Sequence, residues 1–206
     1  MRDEAATFQS LIRSRRSIRR YQPEPVSKEV LQRVLEAGTW APSAHNRQPW
    51  RFVVLTEPPA REALARRMGD LLRAARTADG DDTPDIEGDV ARSYNRIAGA
   101  AAAIAVFLTM EDMDTYPDAR RSRAEELMAV QGAAMATQNL LVAAHAEGLG
   151  ACWMCAPLFC QEEVGAALGV PAHWQAQALI TLGYPASKGK PANRRPVPDV
   201  TFEREP

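Results

Sequence analysis

Residues 29–56 read "EVLQRVLEAGTWAPSAHNRQPWRFVVLT". Val30, Leu31, Val34 and Leu35 recur at helical spacing, so an amphipathic helix is expected over residues 27–37, with Ser27 able to cap it and Gly38 to stop it. The run "WRFVVLT" at residues 50–56 is rich in β-branched and aromatic side chains, the pattern of a buried strand. A helix therefore hands over to a strand, and a short turn would have sufficed between them. Instead residues 40–50 hold two Trp, two Pro, a His, an Asn and a Gln.

Helices and strands continue to interleave on both sides of this stretch. Phe8, Leu11 and Ile12 mark an N-terminal helix, and Pro58 and Pro59 open another whose apolar side carries Leu64, Met68, Leu71 and Leu72. Residues 102–109, "AAIAVFLT", read as a second strand, and residues 122–147 as a long, Ala-rich, buried central helix. "GACWMC" from Gly150, a short helix over residues 161–168 and the strand "AQALITLGY" follow. Residues 79–89, "DGDDTPDIEGD", are acidic and turn-rich and are expected to form a loop or lid; the spacing of an EF-hand is missing. The tail from Pro185 carries five prolines and little periodicity, so it is expected to wrap a surface. This order lacks the strict strand–helix repeat of a doubly wound fold, and one α+β domain over residues 1–206, a sheet packed by helices, is the reading it supports.

Composition narrows the function. With 46% hydrophobic residues, 25% charged residues and a formal net charge of -1, the chain lacks the basic excess expected of a nucleic-acid or membrane-surface protein. The longest apolar run, residues 98–108, is too short to span a bilayer. The N-terminal "MRDEAATFQS" is not a secretory signal, and three cysteines form no even disulfide set, which fits a reducing cytoplasm. C-x2-C-x4-C without a fourth ligand is a poor zinc site, so Cys152, Cys155 and Cys160 are read as buried thiols and no metal is expected. His145 falls on the buried helix and is read as a satisfied core histidine.

No dinucleotide fingerprint, P-loop or nucleophile elbow is present. What remains is an arginine cluster, "RSRRSIRRY", with five guanidinium groups in the eight residues 13–20 of a chain that holds only three lysines. Arginine suits bidentate holding of a phosphate or carboxylate. Lys188, Lys190, Arg194 and Arg195 form a second basic group that could meet the first on one phosphate, Ser17 adding a hydroxyl. The bland alternative is two solvated basic faces.

Four segments in register decide between these. "RRSIRRY" after an N-terminal helix, "APSAHNRQPW" before a strand, "GLGACWM" before the last third and "LGYP" before a basic tail together resemble the FMN-dependent nitroreductase family, over nearly the whole chain. The resemblance implies a three-layer α+β sandwich with a mostly antiparallel sheet and a long central helix, assembled as a homodimer with FMN at the subunit interface. By the same resemblance Arg15, Arg16, Ser17 and Arg19 hold the FMN phosphate and ribityl chain. Pro42, Ser43, Ala44 and Asn46 reach the flavin from the other subunit, and Ala151, Cys152, Trp153 and Met154 lie by its ring. Arg195, with Arg194 as neighbouring candidate, is the C-terminal phosphate ligand. The implied activity is ping-pong transfer from NADH or NADPH through FMN to a small organic acceptor of nitro, quinone or enone type. No catalytic side chain is required, although His45 could donate a proton or merely order its loop.

"DTYPDARRSRAEELMAVQGAA" and "RMGDLLRAARTADG" resemble, more narrowly, the flavin domain fused to the γ-glutamyl ligase of deazaflavin coenzyme (F-420) biosynthesis, which reduces a dehydro precursor. No ligase domain accompanies it in this chain. A flavin-binding protein without a physiological acceptor is the non-enzymatic alternative. Residues 79–89 with Arg120, Arg121 and Arg123 are expected to shape an acceptor pocket or lid.

Overall fold

The computed structural model describes residues 2–204; Met1 and residues 205–206 of the domain read from the sequence lie outside the described residues. Its elements are α1 (Arg2–Ser14), α2 (Lys28–Thr39), β1 (Trp50–Leu55), α3 (Pro58–Ala78), α4 (Thr83–Ala98), β2 (Ala102–Leu108), α5 (Ala119–Ala146), β3 (Gly150–Met154), α6 (Gln161–Leu168) and β4 (Gln175–Gly183). The strands form one four-stranded sheet in the order β1-β2-β4-β3, antiparallel at every pairing.

The period of two along β2 builds the layers. Ala102, Ile104 and Val106 face a core made with Leu31 and Val34 of α2 and Leu140, Leu141 and Ala144 of α5. Ala103, Ala105 and Phe107 face the opposite core, with Leu64 and Met68 of α3, Ile97 of α4 and Val164 of α6. Because both faces are covered, β2 is buried at every position and reads as an unbroken apolar run. The architecture is the three-layer α+β sandwich with a long central helix.

Several local readings change. Ser27 caps α2 by accepting from the Val30 amide at 3.3 Å, but Gly38 lies inside the helix rather than after it. A Cβ on Gly38 would sit 2.8 Å from the Leu140 side chain, so its role is close helix packing. Residues 79–89 are not one loop: Asp82 precedes α4, Pro84 sits in its first turn, and Asp85, Glu87 and Asp89 are helical. Their carboxylates serve as counter-charges. Arg73 of α3 bonds Glu87 and Asp70, and Arg76 pairs with Asp81 and Asp89. Asp118 caps α5, accepting from the Arg121 amide at 3.0 Å, so this helix starts before Ser122. By length and composition α5 could cross a membrane, with 44% of its apolar window buried; here it is the core helix between α2 and the sheet. The Ala-rich pattern over residues 122–147 points to this buried central helix. The tail after Pro185 is exposed and mostly irregular, with a 3-10 turn at Val197–Val200.

Candidate functional site

The arginine segment is stitched into the sheet by its apolar residues. After α1 the backbone extends, Ser17 bridges Ala151 in parallel fashion, and the Ile18 amide donates to the Ala151 carbonyl at 2.9 Å. Ile18 is buried on β3; a Cβ at Gly150 would lie 2.6 Å from the Ile18 Cβ, so glycine is needed for this approach. The Tyr21 hydroxyl lies 2.7 Å from the Ile18 carbonyl and 2.9 Å from the Thr181 carbonyl. Burial pushes that phenol far above its ordinary value, which keeps it a donor. With Ile18 and Tyr21 turned inward, the arginines between them are left at the surface.

The C-terminal basic group returns to this strip. The Ala186 amide donates to the Arg20 carbonyl at 3.0 Å. Arg15 has its guanidinium pKa lowered first by burial and then by the positive charges of Arg194 and Arg16. No carboxylate pairs with Arg15, Arg16, Arg19 or Arg194 among the described residues. Like charges held together without a counter-ion are the arrangement an anion stabilises. Arg195, which follows Arg194 in the chain, is exposed.

Arg19 leads into a cavity of about 330 Å³ between this strip, β3 and α4, lined by Arg96, Ser93 and Asp89 of α4 and by Cys152, Met154 and Leu72. Arg96 lies on α4, a helix that the acidic, turn-rich residues 79–89 conceal in the sequence. Ile86, Val90 and Ile97 at helical spacing, after Asp82 and Pro84, were the available signal. Burial raises the Cys152 thiol, opposed by Arg19, Arg96 and Arg15, so a buried protonated wall is the outcome rather than a nucleophile. Cys155, in contrast, is exposed at the start of a 3-10 turn, which corrects the expectation of three buried thiols. Strand alternation also separates Trp153 from Met154. Met154 joins the α3–α6 core and Trp153 packs toward the α2–α5 side, its Nε1 buried without a partner among the described residues, yet both residues border the cavity.

The loop between α2 and β1 stands elsewhere. His45, Asn46 and Gln48 adopt φ of 48°, 54° and 51°, a left-handed conformation uncommon without glycine. Such backbone persists when its surroundings over-determine it. Ser43 Oγ accepts from the Gln48 amide at 2.9 Å, Arg47 pairs with Asp114, and the Thr109 amide donates to the Pro49 carbonyl at 2.9 Å. Asp114 is in turn fixed through its amide to the buried Glu125 carboxylate at 3.1 Å. Trp50 is buried and anchors the loop, whereas Trp40 is 80% exposed. Pro42, His45 and Asn46 are exposed, with Ser43 and Ala44 half-buried.

The helix α5 measures how far this loop lies from the arginines. Gly132 packs against Ser43 and Pro49, while His145 Nε2 lies 2.8 Å from Ser14 Oγ beside the arginine strip. Residues 132 and 145 differ by 145 − 132 = 13 positions, roughly 20 Å of helix. Within one chain, therefore, Arg15, Arg16, Ser17, Arg19, Ala151, Cys152 and Arg194 come together, and Pro42, Ser43, Ala44, His45 and Asn46 do not join them. His145 itself is half-buried rather than a core residue; burial, Arg15 and Arg16 lower its pKa. Arg121 pairs with Asp118 and Arg123 with Glu126 on the surface of α5. Among the described residues, no group of His, Cys, Asp and Glu could hold a metal ion.

An antiparallel sheet between two helical layers carries an arginine strip at one edge, beside a cavity whose lining mixes Arg19 and Arg96 with apolar Leu72 and Met154. Comparison with known proteins gives the chain a family. Residues 12–184 match the model of the nitroreductase family, and the chain belongs to that family. An NADH dehydrogenase of Thermus thermophilus is 32% identical to it, over 92% of this chain and 92% of that protein. A Bacillus subtilis protein described as an NAD(P)H nitroreductase is 25% identical over 94% of this chain and 92% of its own. A solved Desulfovibrio desulfuricans protein, described as a nitroreductase in complex with FMN, superposes with a TM-score of 0.74 at 34% identity over 96% of each chain.

Proposed function

We propose that this protein is an FMN-dependent oxidoreductase that takes hydride from NADH or NADPH and passes electrons, in ping-pong fashion, to a small organic acceptor of nitro, quinone or enone type. The observation that carries the reading is the convergence of Arg15 and Arg194, without a carboxylate partner among the described residues, on the strip whose Arg19 enters a cavity that Leu72 and Met154 also line. The donor set fits FMN: fixed positive charge suits its phosphate, and the apolar wall suits its ring. The described FMN complex of the D. desulfuricans relative supports this assignment. Bound there, FMN supplies the hydride chemistry.

The chain's own residues bind and tune. Arg15, Arg16 and Arg194 or Arg195 neutralise the phosphate, and Ser17 adds a hydroxyl donor. Arg19 and Arg96 present guanidinium groups to the cavity, where they favour negative charge that develops on reduction. Asp89 does not oppose them, because Arg76 and Arg92 already hold its carboxylate. Buried Met154 and half-buried Ala156 limit water on that side.

The distance along α5 supports a homodimer in which Pro42, Ser43, Ala44 and Asn46 of one subunit complete the site of the other, with His45 ordering that loop or offering a proton. Large apolar side chains without cover on α1 and α5, such as Phe8 at 54% and Leu127 at 46% exposure, fit burial against a second copy.

The decisive experiment is a flavin spectrum of the purified protein followed by steady-state oxidation of NADH and NADPH with quinone, nitroaromatic and dehydro deazaflavin acceptors. A colourless protein that takes up no FMN would sink the reading. Flavin without turnover on any acceptor would point to the non-enzymatic flavin-binding alternative. Sedimentation at micromolar concentration should give a dimer.

A further inference from the structure

We infer that a second cavity, under the α3–α4 hairpin, receives the apolar arm of the electron acceptor, so that the enzyme selects amphiphilic acceptors such as arm-bearing quinones over bare ones. This rests on the flavin site proposed above and names the substrate class of that site. The cavity measures about 290 Å³ and is walled by Met68, Leu71, Leu72 and Ala75 of α3 together with Phe159 and Cys160. It adjoins the cationic cavity, since Leu72, Ser93 and Ala156 line both. A ligand with its reactive head in one can therefore extend its tail into the other.

The chemistry of the walls says what the tail is. Arg76 and Asp79 reach the annex, but Arg76 is engaged by Asp81 and Asp89, so its charge is already compensated. The Cys160 thiol donates to the Ala156 carbonyl at 3.5 Å and solicits no polar ligand. A nicotinamide donor would bring phosphates and ribose hydroxyls, costly to desolvate against such walls. A neutral hydrocarbon arm carries no such penalty. Size agrees: apolar cavities of about 150 Å³ hold a benzene ring, so this one has room for a branched five-carbon unit or a second ring. Phe159 stands at the rim, 91% exposed, where it can close over an apolar arm.

The test measures binding without turnover. Oxidised, FMN-supplemented protein is titrated by calorimetry with 1,4-naphthoquinone and with the same quinone bearing a five-carbon isoprenoid arm, for the wild type and for Ala75→Phe, which fills the annex from an exposed helix position. Each buried methylene is worth about fourfold in affinity, so the arm should tighten wild-type binding at least tenfold even after ordering costs. Ala75→Phe should erase most of that gain while leaving bare-quinone affinity and flavin content within twofold. Ala75→Leu, a milder filling, should give an intermediate value and serves if the larger side chain impairs folding. No gain from the arm, or a gain that survives filling, overturns the inference. So does a variant that loses flavin instead, because the annex would then belong to the cofactor. If the wild type takes up no FMN, the flavin reading fails separately, and the arm titration on the same protein still reads the annex.

Discussion

The arginines of the α3–α4 hairpin and those of the strip after α1 look alike in sequence and behave as opposites in space. Arg73, Arg76 and Arg92 each lie against carboxylates of Asp70, Asp81, Glu87 or Asp89. Arg15, Arg16 and Arg19 of the strip have no carboxylate partner among the described residues, and Arg96, near the end of α4 and facing the strip across the cavity, shares that state. The first set is satisfied by its own chain, which ties two helices into a cover; exposed pairs of this kind add little stability. In the second set Arg19 and Arg96 line a cavity, Arg15 is crowded by Arg16 and Arg194, and the uncompensated charge suits an anionic ligand. Pairing, rather than charge density, therefore separates a solvated basic face from a binding site.

That contrast can be attacked from both sides. The largest effect is expected from Arg15→Ala with Arg194→Ala: losing two charge-assisted bonds of about 1.5–3 kcal/mol each should weaken FMN about a hundredfold or more by calorimetry. Gly150→Ala should lower stability by about 1–3 kcal/mol in chemical denaturation, because the new methyl meets Ile18 and pries the strip from β3. A full-strength fold in that variant would contradict the close packing that aims the arginines. Arg96→Gln should slow flavin reduction about tenfold in stopped-flow measurements, with a smaller change in FMN affinity.

Glu87→Gln, in the paired set, should leave FMN affinity unchanged. Its carboxyl is held below the ordinary value of 4.5 chiefly by the Arg73 hydrogen bond. A depressed carboxyl stabilises the fold above its unfolded pKa and loses that contribution as pH falls through the folded value. Wild type and variant should thus differ slightly in urea melts at pH 7, and the difference should shrink as pH falls below 4.5. The smallest effect belongs to His145, whose pKa is lowered by burial and by Arg15 and Arg16. The unfolded chain protonates this imidazole first, so its neutral folded form costs stability as pH falls below about 6.5. His145→Gln should flatten the wild type's loss of melting temperature between pH 7 and 5.

Much of the scaffold was legible because its signals are local. Val30 to Leu35 repeat at helical spacing, "AAIAVFLT" is apolar at every position because both sheet faces are covered, and Ser27 caps where a capping residue should. Residues 79–89 misled because acidic, Gly- and Pro-bearing sequence reads as loop when its counter-charges, Arg73 and Arg76, lie on another helix. Gly38 misled for a similar reason: a stop and a close contact with Leu140 look the same until the partner helix is placed. The arginine strip was visible as composition, but its lack of partners was not. Arg96 carries no local signal apart from its helix, and strand alternation turns Trp153 and Met154 toward different cores even though both border the cavity beside Arg19. The gap of roughly 20 Å between the loop and the strip is a property of α5's length and of what docks at each end, which no local pattern encodes.

Comparing FMN with riboflavin tests directly whether the arginines without carboxylate partners hold a phosphate. Calorimetric titration of the wild type and of Arg15→Ala/Arg194→Ala with both ligands isolates the phosphate contribution. The wild type should bind FMN about a hundredfold tighter than riboflavin, and the double variant should bring the two affinities together. Equal affinities in the wild type, or an undiminished gap in the variant, would contradict the account.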